Sequence, residues 1–188
     1  AGRIVLVEIT PIMPDRLVAI DPETGAMMPL HEPNKAFAAL RAPSLRYIDL
    51  GEAGPYPESG GRLFLPHGYR RGTRLPLVFT SYGAFPNFDG GAGDELPIIP
   101  LTEHGIAVFH LRAVNANVVS AEGDVSLDVR RLRRPLAAMQ RVIDQLDAEG
   151  IIDRSRVGVQ GLSYGSEIAG YVWWASRDFR AVSMCGSQ

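Results

Sequence analysis

Residues 157–175 read V-G-V-Q-G-L-S-Y-G-S-E-I-A-G-Y-V-W-W-A, and no other stretch of the chain constrains its fold as strongly. An apolar strand pattern runs into G-x-S-x-G at Gly161–Gly165, and a helical pattern follows at once. A turn that abrupt forces Ser163 into a strained backbone conformation and lifts its hydroxyl above the sheet edge. Gly161 and Gly165 are expected to be small because backbone packs closely on that turn. The free N–H groups and the positive end of the new helix then lie beside the serine. Ser163 is therefore the candidate nucleophile, and the Tyr164 N–H is the candidate first donor to an oxyanion. The alternative is a glycine-flanked serine in an ordinary strand–turn–helix connection. Two other motifs fail: G-x-x-x-x-G-K-[ST] is absent, and Gly158, Gly161 and Gly165 have the wrong spacing for a dinucleotide fingerprint.

The rest of the chain supplies a sheet for this turn. Strand patterns fall at Arg62–Leu65, Leu77–Tyr82, Ile106–Leu111 and Ala181–Cys185. Helical patterns fall at 98–103, at 126–149 and at 163–176. In the long helix Leu132, Leu136, Met139, Val142, Ile143 and Leu146 recur mostly three and four apart, Gly150 stops it, and Pro135 predicts a break or kink near Arg134. Strands alternating with helices imply an α/β fold, a parallel sheet covered on both faces. Residues 1 to about 40 differ. Ile4–Ile9, Leu17–Ile20 and Ala26–Leu30 are short strands, with turn chemistry at Asp21-Pro22-Glu23-Thr24-Gly25. Such hairpins cannot bury a core alone and need a larger sheet to lie against. A linker with one short strand at Tyr47–Leu50 joins the two parts.

Composition excludes some classes. Nineteen Lys and Arg against 21 Asp and Glu give a formal charge of -2, without the basic excess of a dedicated nucleic-acid binder. No apolar run reaches the roughly 18 residues of a membrane span. One cysteine, Cys185, permits no internal disulfide and no cysteine-rich metal site. No cofactor or metal is expected.

Several segments together resemble the prolyl-oligopeptidase family of serine peptidases, which joins a β-propeller to an α/β-hydrolase domain. They are F-L-P-H-G-Y-R-R-G-T-R-L-P-L-V-F at 64–79, T-S-Y-G-A-F at 80–85, H-G-I-A-V-F at 104–109 and I-I-D-R-S-R-V-G-V-Q-G-L-S-Y-G at 151–165. The resemblance implies the end of a propeller and a linker over 1–45, and the amino-terminal part of the hydrolase domain over 46–188. It makes Ser163 the nucleophile and puts Tyr82 in the place of the tyrosine whose hydroxyl donates to the oxyanion. A phenol suits that role as a neutral donor aimed from a loop. The chain departs from the family at Ser166, where many members have a second glycine, and in the run R-A-V-N-A-N-V-V-S-A-E-G after residue 111. Both departures border the pocket. The variant elbow and the S-Y-G-A-F-P-N-F loop look most like the lasso-peptide isopeptidase branch, whose members open the side-chain-to-amine amide closing a threaded ring. A peptide substrate, a threaded lasso peptide among them, is the partner this implies, in a soluble protein of the bacterial cytoplasm or periplasm. Phe85, Phe88, Glu167 and Asn115 are candidates to line the substrate site. Glu167 also has a simpler role, as favourable charge in the first turn of its helix.

The serine lacks partners. In this fold the acid and then the base follow the nucleophile, yet 164–188 contain no His, and His31, His67, His104 and His110 all precede Ser163. Without a base a serine hydroxyl is a poor nucleophile. His104 and His110 are expected to be structural or surface residues, and Asp178 to serve helix-end solvation. The strand at 181–185 would present an unpaired edge, which folded proteins avoid. The expectation is a piece of a larger polypeptide, inactive alone, whose Asp, His and last strands come from other segments. An esterase on the same fold and a non-catalytic binding module are the competing readings. Trp173 and Trp174 are expected to pack their helix on the core, and Cys185 to be a buried small hydrophobe.

Overall fold

The computed structural model describes residues 2–39, 41–51, 60–81, 97–111 and 125–186. Three short strands open it: β1 (Ile4–Glu8), β2 (Arg16–Ile20) and β3 (Met27–His31), paired antiparallel in the order β1-β2-β3. The Asp21 carboxylate accepts the Glu23 and Thr24 N–H groups at 2.9 and 3.1 Å, and Gly25 takes φ +70°, which reverses the chain between β2 and β3. Val18 and Ala19 are buried while β3 is exposed throughout.

Six strands form the main sheet: β4 (Ser44–Asp49), β5 (Gly60–Leu65), β6 (Leu75–Ser81), β7 (Ala107–Leu111), β8 (Ile152–Leu162) and β9 (Ala181–Cys185). Their order is β4-β5-β7-β6-β8-β9. The expected parallel sheet holds from β7 to β9, but β5 runs antiparallel to both β4 and β7, so the whole sheet is mixed. The strand expected at Tyr47–Leu50 is longer and opens at Ser44. Gly61 explains how β5 lies so close to β7. A Cβ there would meet the Phe109 ring at 2.7 Å and collide with the His110 carbonyl.

Three helices connect the strands: α1 (Ile98–Glu103), α2 (Val125–Ala148) and α3 (Tyr164–Ala175). Strand alternation sends Leu63, Leu77, Phe79, Phe109, Leu111, Val157 and Val159 to one face, where they form the main core with Met139, Val142, Ile143 and Leu146 of α2 and Ile168 and Val172 of α3. Phe64 and Val108 point to the other face and meet Ile98 of α1. Helix α2 ends as its sequence predicts. Gly150 sits at φ +72°, its N–H donates to the Asp147 carbonyl at 2.9 Å, and the Ile151 N–H donates to the Leu146 carbonyl at 2.9 Å, a Schellman arrangement. Of the break or kink expected near Arg134, a break is excluded, since α2 runs unbroken through Pro135. Leu132 and Leu136 pack on the core on either side of it and hold the helix together despite the lost hydrogen bond. No helix among the described residues is long and apolar enough to cross a membrane.

Candidate active site

Strand β8 ends at Leu162 and α3 begins at Tyr164, leaving Ser163 alone to make the turn. It does so at φ 52° and ψ -122°, as the one non-glycine residue with positive φ among the described residues. Such a conformation costs on the order of 1–3 kcal/mol and persists only where surrounding contacts impose it. Those contacts are specific. The Ser163 N–H donates to the Cys185 carbonyl of β9 at 3.0 Å, and the Ser163 carbonyl accepts the Ser166 N–H at 2.8 Å. A Cβ at Gly161 would collide with the Gly165 carbonyl and lie 2.7 Å from the Ser166 nitrogen, so only glycine fits this approach. Ser163 is exposed, and its side chain makes no capping bond to the helix it precedes. The hydroxyl is thus presented at the sheet edge beside the first turn of α3, whose leading N–H groups have no partner within the helix.

Tyr164 supplies its N–H to that turn while its half-buried side chain packs against the main core. The Arg131 guanidinium lies 5.3 Å from its ring centroid. Burial raises the phenol's pKa, and the charge and hydrogen bond of Arg131 oppose that rise. Glu167 is exposed in the first turn of α3, where its charge complements the helix N-terminus. Tyr82, Phe85, Phe88 and Asn115 lie outside the described residues.

Two expectations about packing fail. Trp173 and Trp174 are 52% and 82% exposed, because α3 buries Gly165, Ser166, Ile168, Ala169 and Val172 and the tryptophans lie on the opposite face. Cys185 is exposed at the end of β9. Asp178 does more than solvate a helix end. It accepts hydrogen bonds from Gln140 at 3.0 Å and from the Ser176 hydroxyl at 2.8 Å, which hold its pKa below the usual carboxylate range. His104 is exposed, with Nδ1 2.8 Å from the Pro100 carbonyl at the end of α1. His110 is structural, as expected: it is buried in β7 with Nδ1 3.2 Å from the Thr80 hydroxyl.

Sequence reasoning passed over two features. Arg62, His110, Thr80, Gln160 and Ser183 occupy one register row across β5, β7, β6, β8 and β9, a polar stripe on the face that carries α1. Its signal was a polar residue set among apolar neighbours in each strand, as Arg62 in G-R-L-F, His110 in V-F-H-L, Thr80 in V-F-T, Gln160 in V-G-V-Q-G-L and Ser183 in A-V-S-M. The other is Ser166, read only as a departure from glycine, whose buried hydroxyl bonds to both β8 and β9.

A mixed sheet in this order, with a strand–turn–helix elbow at Ser163, is part of an α/β-hydrolase domain, incomplete in this chain, and the fold match to solved structures assigns the antiparallel segment before it to part of a β-propeller. Comparison with known proteins is more specific. The chain is 34% identical over 175 residues to the lasso peptide isopeptidase AtxE2 of Asticcacaulis excentricus, a match covering 88% of this chain and 25% of that protein. Solved structures of AtxE2, apo and as a serine-to-alanine variant with Astexin3-dC4 bound, each match with TM-score 0.82, at 31% and 30% identity, over 98% of this chain and 29% of theirs. An acylaminoacyl peptidase from Pyrococcus horikoshii shares the fold at TM-score 0.70 and 19% identity, over 97% of this chain and 29% of that one. No family model matches. The chain is thus similar in both sequence and fold to AtxE2, and similar in fold to the acylaminoacyl peptidase. It spans about a quarter of the length of the curated relative it matches.

Proposed function

We propose that the protein containing this chain is a serine peptidase that opens the isopeptide bond of a threaded lasso peptide through an acyl-enzyme on Ser163. The observation that carries this reading is the exposed, positive-φ Ser163 between β8 and α3, in a chain 34% identical to AtxE2. Ser163 Oγ attacks the amide carbonyl as a base takes its proton. The Tyr164 N–H and the Tyr82 hydroxyl hold the developing oxyanion. Collapse expels the amine, which takes the proton from the base, and water then hydrolyses the ester. The acid and base of the triad come from outside these 188 residues, because no His follows Ser163. Residues 1–45 belong to the propeller side and 46–188 to the hydrolase side, and the propeller filters what reaches the serine. Phe85, Phe88, Glu167 and Asn115 contact the substrate. The peptide seen with the AtxE2 variant supports the substrate class.

The test uses the full-length protein with a fluorophosphonate probe, a threaded lasso peptide, linear peptides and simple esters. Labelling at Ser163, and lasso-ring opening that Ser163→Ala abolishes, are the expected results. Cleavage of esters alone would make the protein an esterase. Failure of the probe to label would make it a non-catalytic module.

A further inference from the structure

We infer that Ser166 is a positioning residue that holds the nucleophile turn in register with β9; this rests on the reading of Ser163 as nucleophile. Ser166 is 1% exposed, at the inner face of the first turn of α3. Its Oγ lies 2.8 Å from the Gly161 carbonyl and 2.7 Å from the Cys185 carbonyl, and it accepts the Cys185 N–H at 3.0 Å. One hydroxyl proton therefore serves two carbonyls while the oxygen takes a third backbone group. The Cys185 carbonyl also accepts the Ser163 N–H. The clamp thus reaches the nucleophile's own amide through one shared atom, and reaches the glycine entering the turn through another.

The placement explains why a hydroxyl matters here. Ser163 sits in a conformation it does not favour alone, and only its neighbours impose it. Two of those neighbours, the entry at Gly161 and the end of β9 at Cys185, belong to different strands. A shift of β9 by a fraction of an ångström would move the bond that fixes the Ser163 amide. The Ser166 hydroxyl ties both strands to the helix whose leading N–H groups face the nucleophile. An error of about 1 Å in the placement of a reacting group can cost about a hundredfold in rate.

The experiment compares Ser166→Ala, Ser166→Gly, Ser166→Cys and Ser166→Thr in the full-length protein. It reads kcat and KM on the cleaved peptide, the rate of fluorophosphonate labelling and Tm. Loss of the clamp should lower kcat and the labelling rate about ten- to a hundredfold in the Ala, Gly and Cys variants, with KM within about twofold. Cysteine is larger and hydrogen-bonds only weakly, so it should lose the clamp as alanine does. Threonine keeps the hydroxyl and should recover kcat to within a few-fold. Thr102→Ala is the control, since it removes another buried hydroxyl, bonded to the Ile98 carbonyl at 2.9 Å in α1. It should lower Tm and leave kcat unchanged. The inference is overturned if Ser166→Gly or Ser166→Ala lowers Tm without slowing labelling, or if Thr102→Ala slows labelling as much. Loss of all labelling in Ser163→Ala tests the underlying reading separately. If Ser163→Ala still turns over peptide, that reading fails whatever Ser166 does.

Discussion

Lowering the pH from 7.5 to 4 should destabilise the fold through one buried imidazole. His110 is 2% exposed, and burial, followed by the nearby positive charge of Arg62, lowers its pKa from 6.5 to about 4. Its Nε2 has no hydrogen-bond partner among the described residues. The folded pKa lies below the unfolded one, so the unfolded chain binds more protons between those two values. Stability is fully present above pH 6.5 and is lost as pH falls toward 4. At about 1.4 kcal/mol per pKa unit, the shift corresponds to about 3 kcal/mol at pH 4 and about 2 kcal/mol at pH 5. Urea unfolding of the wild type and His110→Asn at pH 7.5, 5.0 and 4.0, at constant ionic strength, isolates this contribution. Asparagine keeps a polar atom near Thr80 but does not titrate, and the other groups cancel in the difference. The wild type should lose about 2–3 kcal/mol more than the variant across the window. Equal losses within about 0.5 kcal/mol, or an imidazole titration seen by NMR at or above pH 6.5, would refute the reasoning.

Gly161→Ala should cost about 3 kcal/mol or more, because its Cβ meets backbone at Gly165 and Ser166 rather than a yielding side chain. A lowered Tm and the loss of fluorophosphonate labelling at Ser163 are the readouts. Phe109→Ala should destabilise by about 3–5 kcal/mol, measured by urea unfolding. The ring is fully buried, with the Phe79 centroid 5.6 Å away.

The chemistry and the cost of the elbow meet in the same few residues. A strained serine needs a rigid frame, and glycine at 161, the Cys185 carbonyl and the Ser166 hydroxyl provide one. Each acts on the backbone, so the frame holds Ser163 while leaving its side chain exposed.

Local sequence was enough to place most elements. Helix α1 at Ile98–Glu103 and strand β9 at Ala181–Cys185 fall where apolar periodicity predicted them, and α2 stops at Gly150 as its composition requires. The position of Ser163 between a strand and a helix was equally legible, because a glycine-flanked turn between two periodic patterns is a local property. Other features were decided by parts of the chain distant in sequence. Strand pairing set β5 antiparallel within the sheet, and core contacts on both sides of Pro135 carried α2 through it. The direction in which α3 buries its small residues left Trp173 and Trp174 exposed. Ser166 illustrates the division best. Its sequence shows only a serine in place of a glycine. Its role depends on β9, whose Cys185 lies 19 residues further along the chain and meets it only once β8 and β9 are paired.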